Sequence, residues 1–341
     1  MQMRDDLGIT TKLENGKAYL EFALPEKIGR LLSALQIEIW EEAEGGRLVF
    51  HGEYSSEEAD FMTALLLRPH LWDGMRDPYV YLVKAQGRFR TMEDGEKTGG
   101  TRNEEESDPA EDITEAEDVY WQQKLAIYDV RVIDKKGIFL NEKEFLLREV
   151  SYRLPPQISD VGTQEAQMKR DLERLARLGV NAIRLEETGS GAEGQDRCEV
   201  RAFYSLCRRR GFLTGDLWIR PEILPVYRGL PGETTCQALL AADGRTLTER
   251  YYYYQAKWSS EPVLYPVLST LHRQENGLLS LTIYSNQKKV VLYVDGLLFL
   301  FQTATSGDPE FIFEDIPVEK LPLHLAVEAG NLSISLTVTK L

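Results

Sequence analysis

Residues 163–186 read TQEAQMKRDLERLARLGVNAIRLE. Met168, Leu172, Leu175 and Leu178 recur at helical spacing, with Thr163 placed to cap the start and Gly179 to stop the end. The VNAIRLE that follows is a short strand, so the stretch is a helix feeding a strand. Upstream, EFLLREV (144–150) is an apolar strand run. Downstream, past a Gly/Ser-rich loop, come a second helix, CEVRAFYSLCRRRG (198–211), and a third strand, FLTGDLWI (212–219). Strand, helix, strand, helix, strand is the opening of a parallel α/β structure. Three parallel strands are expected, with the helices covering mainly one face.

On either side of this centre the texture is β. From Ile9 to Ile133 short alternating runs such as KAYLEFAL, SALQIEIWE, GRLVFHGEY, FMTALLLRP, YVYLVKAQG and KLAIYDVRVI are separated by Asn-Gly and Gly-Gly breaks, the pattern of an antiparallel sandwich. The last two runs are split by an acidic, Gly- and Thr-rich segment, 93–118, whose composition cannot bury enough apolar surface to order itself and which is expected to be a mobile loop. From Tyr251 onward seven β runs, EPVLYPVLS to LSISLTVT, predict a second sandwich of immunoglobulin-like size. The division expected is 1–133, 134–250 and 251–341.

Composition narrows the function. Forty basic against fifty-five acidic residues give a net charge of −15, which repels nucleic acid and anionic lipid. No apolar run approaches the roughly 20 residues of a membrane helix, so neither nucleic acid nor membrane is an expected partner. The amino terminus carries no apolar stretch with a cleavage site, which predicts a cytoplasmic location. Three cysteines and four scattered histidines offer no metal-ligand spacing and no Ser/His/Asp triad; buried free thiols, no metal and no cofactor are expected.

Four motifs, in order, resemble the family 2 glycoside hydrolases, the β-galactosidase and β-glucuronidase family. RPHLWDGMRDPYVYLVKAQ (68–86) resembles the Leu-Trp segment and Pro-x-x-Tyr strand of that family's immunoglobulin-like domain. KKGIFLNEKEFLLREVSYR (135–153) is similar to the junction before its first barrel strand, matching at Gly137, Leu140, Asn141, Lys143, Arg148 and Val150. RDLERLARLGVNAIRL (170–185) matches its first barrel helix and second strand, with the Gly-x-Asn-x-x-Arg signature as Gly179, Asn181 and Arg184. YYYYQAKWSSEPVLYP (251–266) and VVLYVDG (290–296) resemble a C-terminal sandwich of many bacterial members. The resemblance implies mixed β and α/β architecture: two immunoglobulin-like sandwiches flanking a truncated (β/α) barrel remnant.

The departures bear on chemistry. Where members carry Asn-x-His after the first barrel strand this chain has Ser151-Tyr152-Arg153, and after the second strand Glu187 replaces a histidine. Retaining glycosidases need two carboxyl groups about 5–5.5 Å apart. In this family both are glutamates, on the fourth and seventh strands, for which the sequence after Trp218 has no room. The resemblance therefore implies a non-catalytic binding or assembly module. Its alternatives are a glycosidase completed by a partner chain or by rebuilt carboxylates, with Glu186 and Glu187 as the catalytic candidates, and a carbohydrate-binding protein. Arg184 and Trp218 are the substrate-binding candidates, while Trp258 and Tyr251–Tyr254 are read as packing. A carbohydrate, a second copy of the chain or another protein is the expected partner. The segment Arg220–Arg250 is expected to cover the inward face of the truncated sheet, with Leu147, Ile183 and Leu213 beneath it.

Overall fold

The computed structural model describes residues 7–24, 32–42, 46–55, 62–89, 119–154, 161–186, 197–214, 225–229, 238–305 and 307–340. The acidic segment 93–118, Glu187, Asp216, Trp218, Glu222 and Cys236 lie outside the described residues. The chain divides into two compact units, Met1–Leu146 with Gly194–Gly211, and Leu147–Glu193 with Phe212–Leu341.

In the first unit, β1 (Gly8–Glu14), β2 (Lys17–Ala23), β3 (Leu32–Glu41), β4 (Leu48–Ser55), β5 (Met62–Leu67), β6 (Tyr81–Phe89) and β7 (Val119–Leu125) form two antiparallel sheets, ordered β1-β2-β5 and β4-β3-β6-β7. Alternation decides which side faces the core. Ala18, Leu20 and Phe22 of β2 stand opposite Leu66, Ala64 and Met62 of β5, and all six are buried. The run KLAIYDVRVI, expected as one strand, is broken: Lys124 and Leu125 end β7, and Val130–Ile133 is β8, which pairs with β9 (Gly137–Leu140) and β10 (Lys143–Glu144) in a small separate sheet.

The second unit opens with β11 (Glu149–Tyr152), α1 (Val161–Leu178) and β12 (Ala182–Leu185). The helix begins two residues earlier than expected, so Thr163 lies in its first turn rather than at its cap. Gly179 ends it with φ +90, its N–H donating to the Ala176 carbonyl and that of Val180 to Leu175, a Schellman close that a left-handed glycine makes cheap. After α2 (Arg197–Arg209), which belongs to the first unit, come β13 (Leu213–Thr214), β14 (Val226–Arg228) and β15 (Ala238–Leu240).

The expectation of three parallel strands is corrected here. Five described strands form one parallel sheet, ordered β13-β12-β11-β14-β15. The described strands that follow β13 pair at the edge of β11 and not beside β13, so β14 and β15, within the segment expected to cover the inward face, instead lengthen the sheet at an edge that three strands would have left unpaired. Faces follow from register. Tyr152 and Tyr227 share one face with Ile183, and both reach α1 through Asp171, so Ile183 lies on the helix side and not on the inward face expected for it.

Tyr251–Trp258, expected to begin the β region, is helical: α3 (Glu249–Trp258) starts at Thr248, whose hydroxyl accepts from the Tyr251 N–H. Then β16 (Leu264–Arg273), β17 (Leu279–Ser285), β18 (Lys289–Val294), β19 (Leu297–Thr303), β20 (Glu310–Ile316), β21 (Leu323–Ala329) and β22 (Leu332–Val338) form sheets β16-β17-β20 and β19-β18-β21-β22. Counted from its own first strand, each sandwich has the order 1-2-5 over 4-3-6-7. The two therefore share a topology as well as an architecture, and the protein is mostly β. No helix among the described residues is long and apolar enough to cross a membrane.

Candidate functional site

In a parallel sheet, ligands gather at the carboxyl ends of the strands, so the ends of β11, β12 and β14 are the place to look for chemistry. Arg184 is on β12, and its guanidinium is fully occupied on one edge by Glu149 of β11, Nε to Oε1 at 3.0 Å and Nη2 to Oε2 at 3.2 Å. The Glu149 side chain is 3% exposed. Burial pushes its carboxyl above the usual range, against the pull of the Arg184 guanidinium. Glu186, one residue past β12, pairs with Arg153, which also donates to the Arg228 carbonyl at 3.4 Å. Thus Arg184 and Glu186, sequence neighbours, are tied to different partners.

On the α1 side, Asp171 is 1% exposed and accepts from the Tyr152 hydroxyl at 2.9 Å, the Tyr227 hydroxyl at 2.8 Å and the Gln167 amide at 2.8 Å, with Arg228 Nη2 at 3.3 Å. Burial first, and the Asp171 charge second, push both phenols far above the ordinary tyrosine range. These hydroxyls stay protonated and donate, so the cluster is a fixed hydrogen-bonded node. Glu149, Asp171, Tyr227 and Arg228 were missed by sequence reasoning. The signal for Asp171 was present: it falls on the same apolar stripe as Met168, Leu172 and Leu175.

The remaining signature residues also hold architecture. Asn181 accepts the Arg148 N–H on Oδ1 at 2.8 Å, and Arg148 Nη1 reaches the Trp258 carbonyl at 2.5 Å. A Cβ on Gly179 would stand 2.4 Å from that same carbonyl oxygen. Tyr252 stacks on Tyr265 at 3.8 Å and Tyr254 tilts against Trp258 at 4.3 Å, so these rings pack on one another. In the first unit, Trp72 is buried: its indole N–H donates to the Arg208 carbonyl at 2.8 Å near the end of α2, and Asn141 Nδ2 donates to its carbonyl at 2.9 Å. Cys207 is a buried free thiol whose pKa burial raises well above the usual value. A cleft of about 540 Å³ lies between the β1–β2 turn and Asn141, but Asn141 is spent on the backbone of Trp72 and Asp129. Among the described residues no His, Cys, Asp and Glu cluster could hold a metal ion.

No family model matches the sequence, and no curated protein matches it. Solved structures do. An FMN-binding β-glucuronidase from Facaelibacterium prausnitzii L2-6 aligns over 98% of this chain and 74% of its own, at 14% identity and a TM-score of 0.60. The fold is shared with that enzyme along nearly the whole of this chain. A putative β-galactosidase from Bacteroides fragilis aligns over 97% of this chain and 72% of its own at 13% identity and TM-score 0.60, and a Bacteroides uniformis β-glucuronidase over 98% and 60% at 13% and 0.58. These neighbours are family 2 β-glucuronidases and β-galactosidases. The chain spans from three fifths to three quarters of their lengths, and at such identities the likeness shows the fold alone.

Proposed function

We propose that the protein is a binding or assembly module built on the family 2 glycosidase fold, without glycosidase turnover. In this reading the parallel sheet is a barrel remnant and the chain has three parts, 1–133, 134–250 and 251–341. The observation that carries it is the engagement of every described carboxylate at the sheet. Glu149 is held by Arg184, Glu186 by Arg153, and Asp171 by two tyrosines and Arg228. A retaining glycosidase needs one carboxyl free to give a proton and another free to attack carbon. Arg184, the pocket arginine implied by the resemblance, is committed to Glu149.

The test is turnover of aryl β-glucuronides, β-galactosides and β-mannosides by the purified chain. No rate above that of buffer is expected. Activity abolished by Glu186→Gln would overturn the proposal. Activity that appears only with a stoichiometric co-purifying polypeptide would instead establish a glycosidase completed by a partner chain.

A further inference from the structure

The outward face of the sheet β4-β3-β6-β7 carries a side-chain set that a merely solvated face does not require. Cross-strand register places Gln36 beside Gln86 and Gln86 beside Tyr120, and, one step along the strands, Glu38 beside Lys84 and Lys84 beside Gln122. Alternation turns these six away from the core formed by Leu35, Ile37, Val83 and Trp121. A cavity of about 470 Å³ lies over them, within the size range of small-molecule sites.

The groups are held in place. Glu38 accepts from the Trp40 indole at 2.9 Å and from the Gln36 amide at 3.2 Å, and Gln86 donates to the Tyr120 hydroxyl at 3.1 Å. Lys84 Nζ stands 5.4 Å from the centroid of Trp40. All sit on paired strands, which position side chains more rigidly than loops do.

We infer that this face binds a neutral oligosaccharide. A glutamine amide offers both donors and an acceptor, the mixture that sugar hydroxyls, each donor and acceptor at once, can saturate. Three such amides with one carboxylate and one ammonium form a two-row array across strands about 4.8 Å apart. Glu38 and Lys84 balance, and the exposed Glu53 of β4, beside Gln36 on the same face, adds a negative charge, so this face and the chain's −15 both oppose a polyanion. Tyr120, 46% exposed, adds an amphipathic ring against which the C–H face of a pyranose can lie. The six lack the buried apolar anchors that seat a protein partner. The inference stands on the first unit alone, so a failure here leaves the turnover result untouched, and the reverse.

Calorimetric titration of the full chain with neutral gluco-, galacto-, manno- and xylo-configured oligosaccharides, and with oligogalacturonate as the acidic comparison, tests it. At least one neutral series should bind. Tyr120→Ala, and separately the pair Gln36→Ala and Gln122→Ala, should each weaken that binding roughly tenfold or more with an unchanged melting temperature. The inference is overturned if no neutral sugar binds at millimolar concentration, if only the acidic sugar binds, or if folded forms of both variants bind as well as the unsubstituted chain.

Discussion

Arg184 meets Glu149 through two parallel hydrogen bonds across adjacent parallel strands, with the Glu149 side chain 3% and the Arg184 side chain 27% exposed. Removing the arginine strands a buried charge, which costs about 3–5 kcal/mol, whereas Glu149→Gln leaves a cation that still reaches water. Arg184→Met should therefore destabilise far more than Glu149→Gln in urea unfolding at neutral pH. Equal losses would show that the carboxylate is not sequestered.

The same pair sets a pH dependence. Because burial raises the Glu149 carboxyl above its ordinary 4.5, the native state binds this proton more tightly than the unfolded chain. Its contribution is fully present below that ordinary value and is lost as pH rises through the folded one. Arg184→Met removes the counter-pull, so its stability should decline more steeply with rising pH, and Glu149→Gln should abolish the decline. A slope identical in all three chains would assign it to other groups.

Trp72 should be the costliest single position in the first unit. Its side chain is fully buried and its indole N–H is the hydrogen-bond donor to the Arg208 carbonyl. Trp72→Ala should cost about 3–5 kcal/mol and Trp72→Phe about 1–2 kcal/mol, the second from the lost ring volume and the one lost hydrogen bond, since the Arg208 carbonyl keeps the Gly211 N–H at 3.0 Å. Denaturant midpoints measure both, and an alanine variant within 1 kcal/mol of the unsubstituted chain would contradict the burial.

β19 ends its sheet and is apolar on both faces, with Leu297 75%, Leu298 60% and Phe301 52% exposed. Such an edge is adhesive, because its outer N–H and C=O groups and its side chains invite another strand. Leu297→Lys with Leu298→Lys should lower concentration-dependent association in sedimentation velocity while changing stability by less than about 0.5 kcal/mol each. Unchanged association would show that the edge does not mediate it.

What could be read from the sequence followed chain periodicity. All seven strands of the C-terminal sandwich announced themselves because each is an apolar-rich run of at least six residues, most clearly where it alternates, as in LHLAVEA, where Leu323, Leu325, Val327 and Ala329 are buried. β14 and β15 did not, since three residues cannot display a period and their place in the sheet is set by pairing with β11, a non-local contact. Tyr251–Tyr254 misled for the opposite reason: tyrosine favours strands, and the Thr248 cap with packing of Tyr251 and Ala256 overrode that preference. At the site, Arg184 was legible as a special residue, but its partner was not. Glu149 is thirty-five positions away and only the parallel register brings it alongside.

Gly179 gives the sharpest test of whether the signature around Arg184 serves architecture. It sits at φ +90, where a side chain costs about 1–2 kcal/mol in backbone strain, and a Cβ there would lie 2.4 Å from the Trp258 carbonyl oxygen. That oxygen is backbone at the end of α3 and already accepts from Arg148 Nη1 at 2.5 Å, so moving it away weakens a second contact. Gly277 is the matched control: it has φ +86, and nothing lies within 4 Å of its added Cβ. Gly277→Ala should thus show the strain alone, and Gly179→Ala the strain plus the clash, exceeding the control by at least about 1 kcal/mol in urea unfolding. Equal costs at the two positions would mean that α3 yields freely at Trp258, and that the close approach does not constrain this glycine.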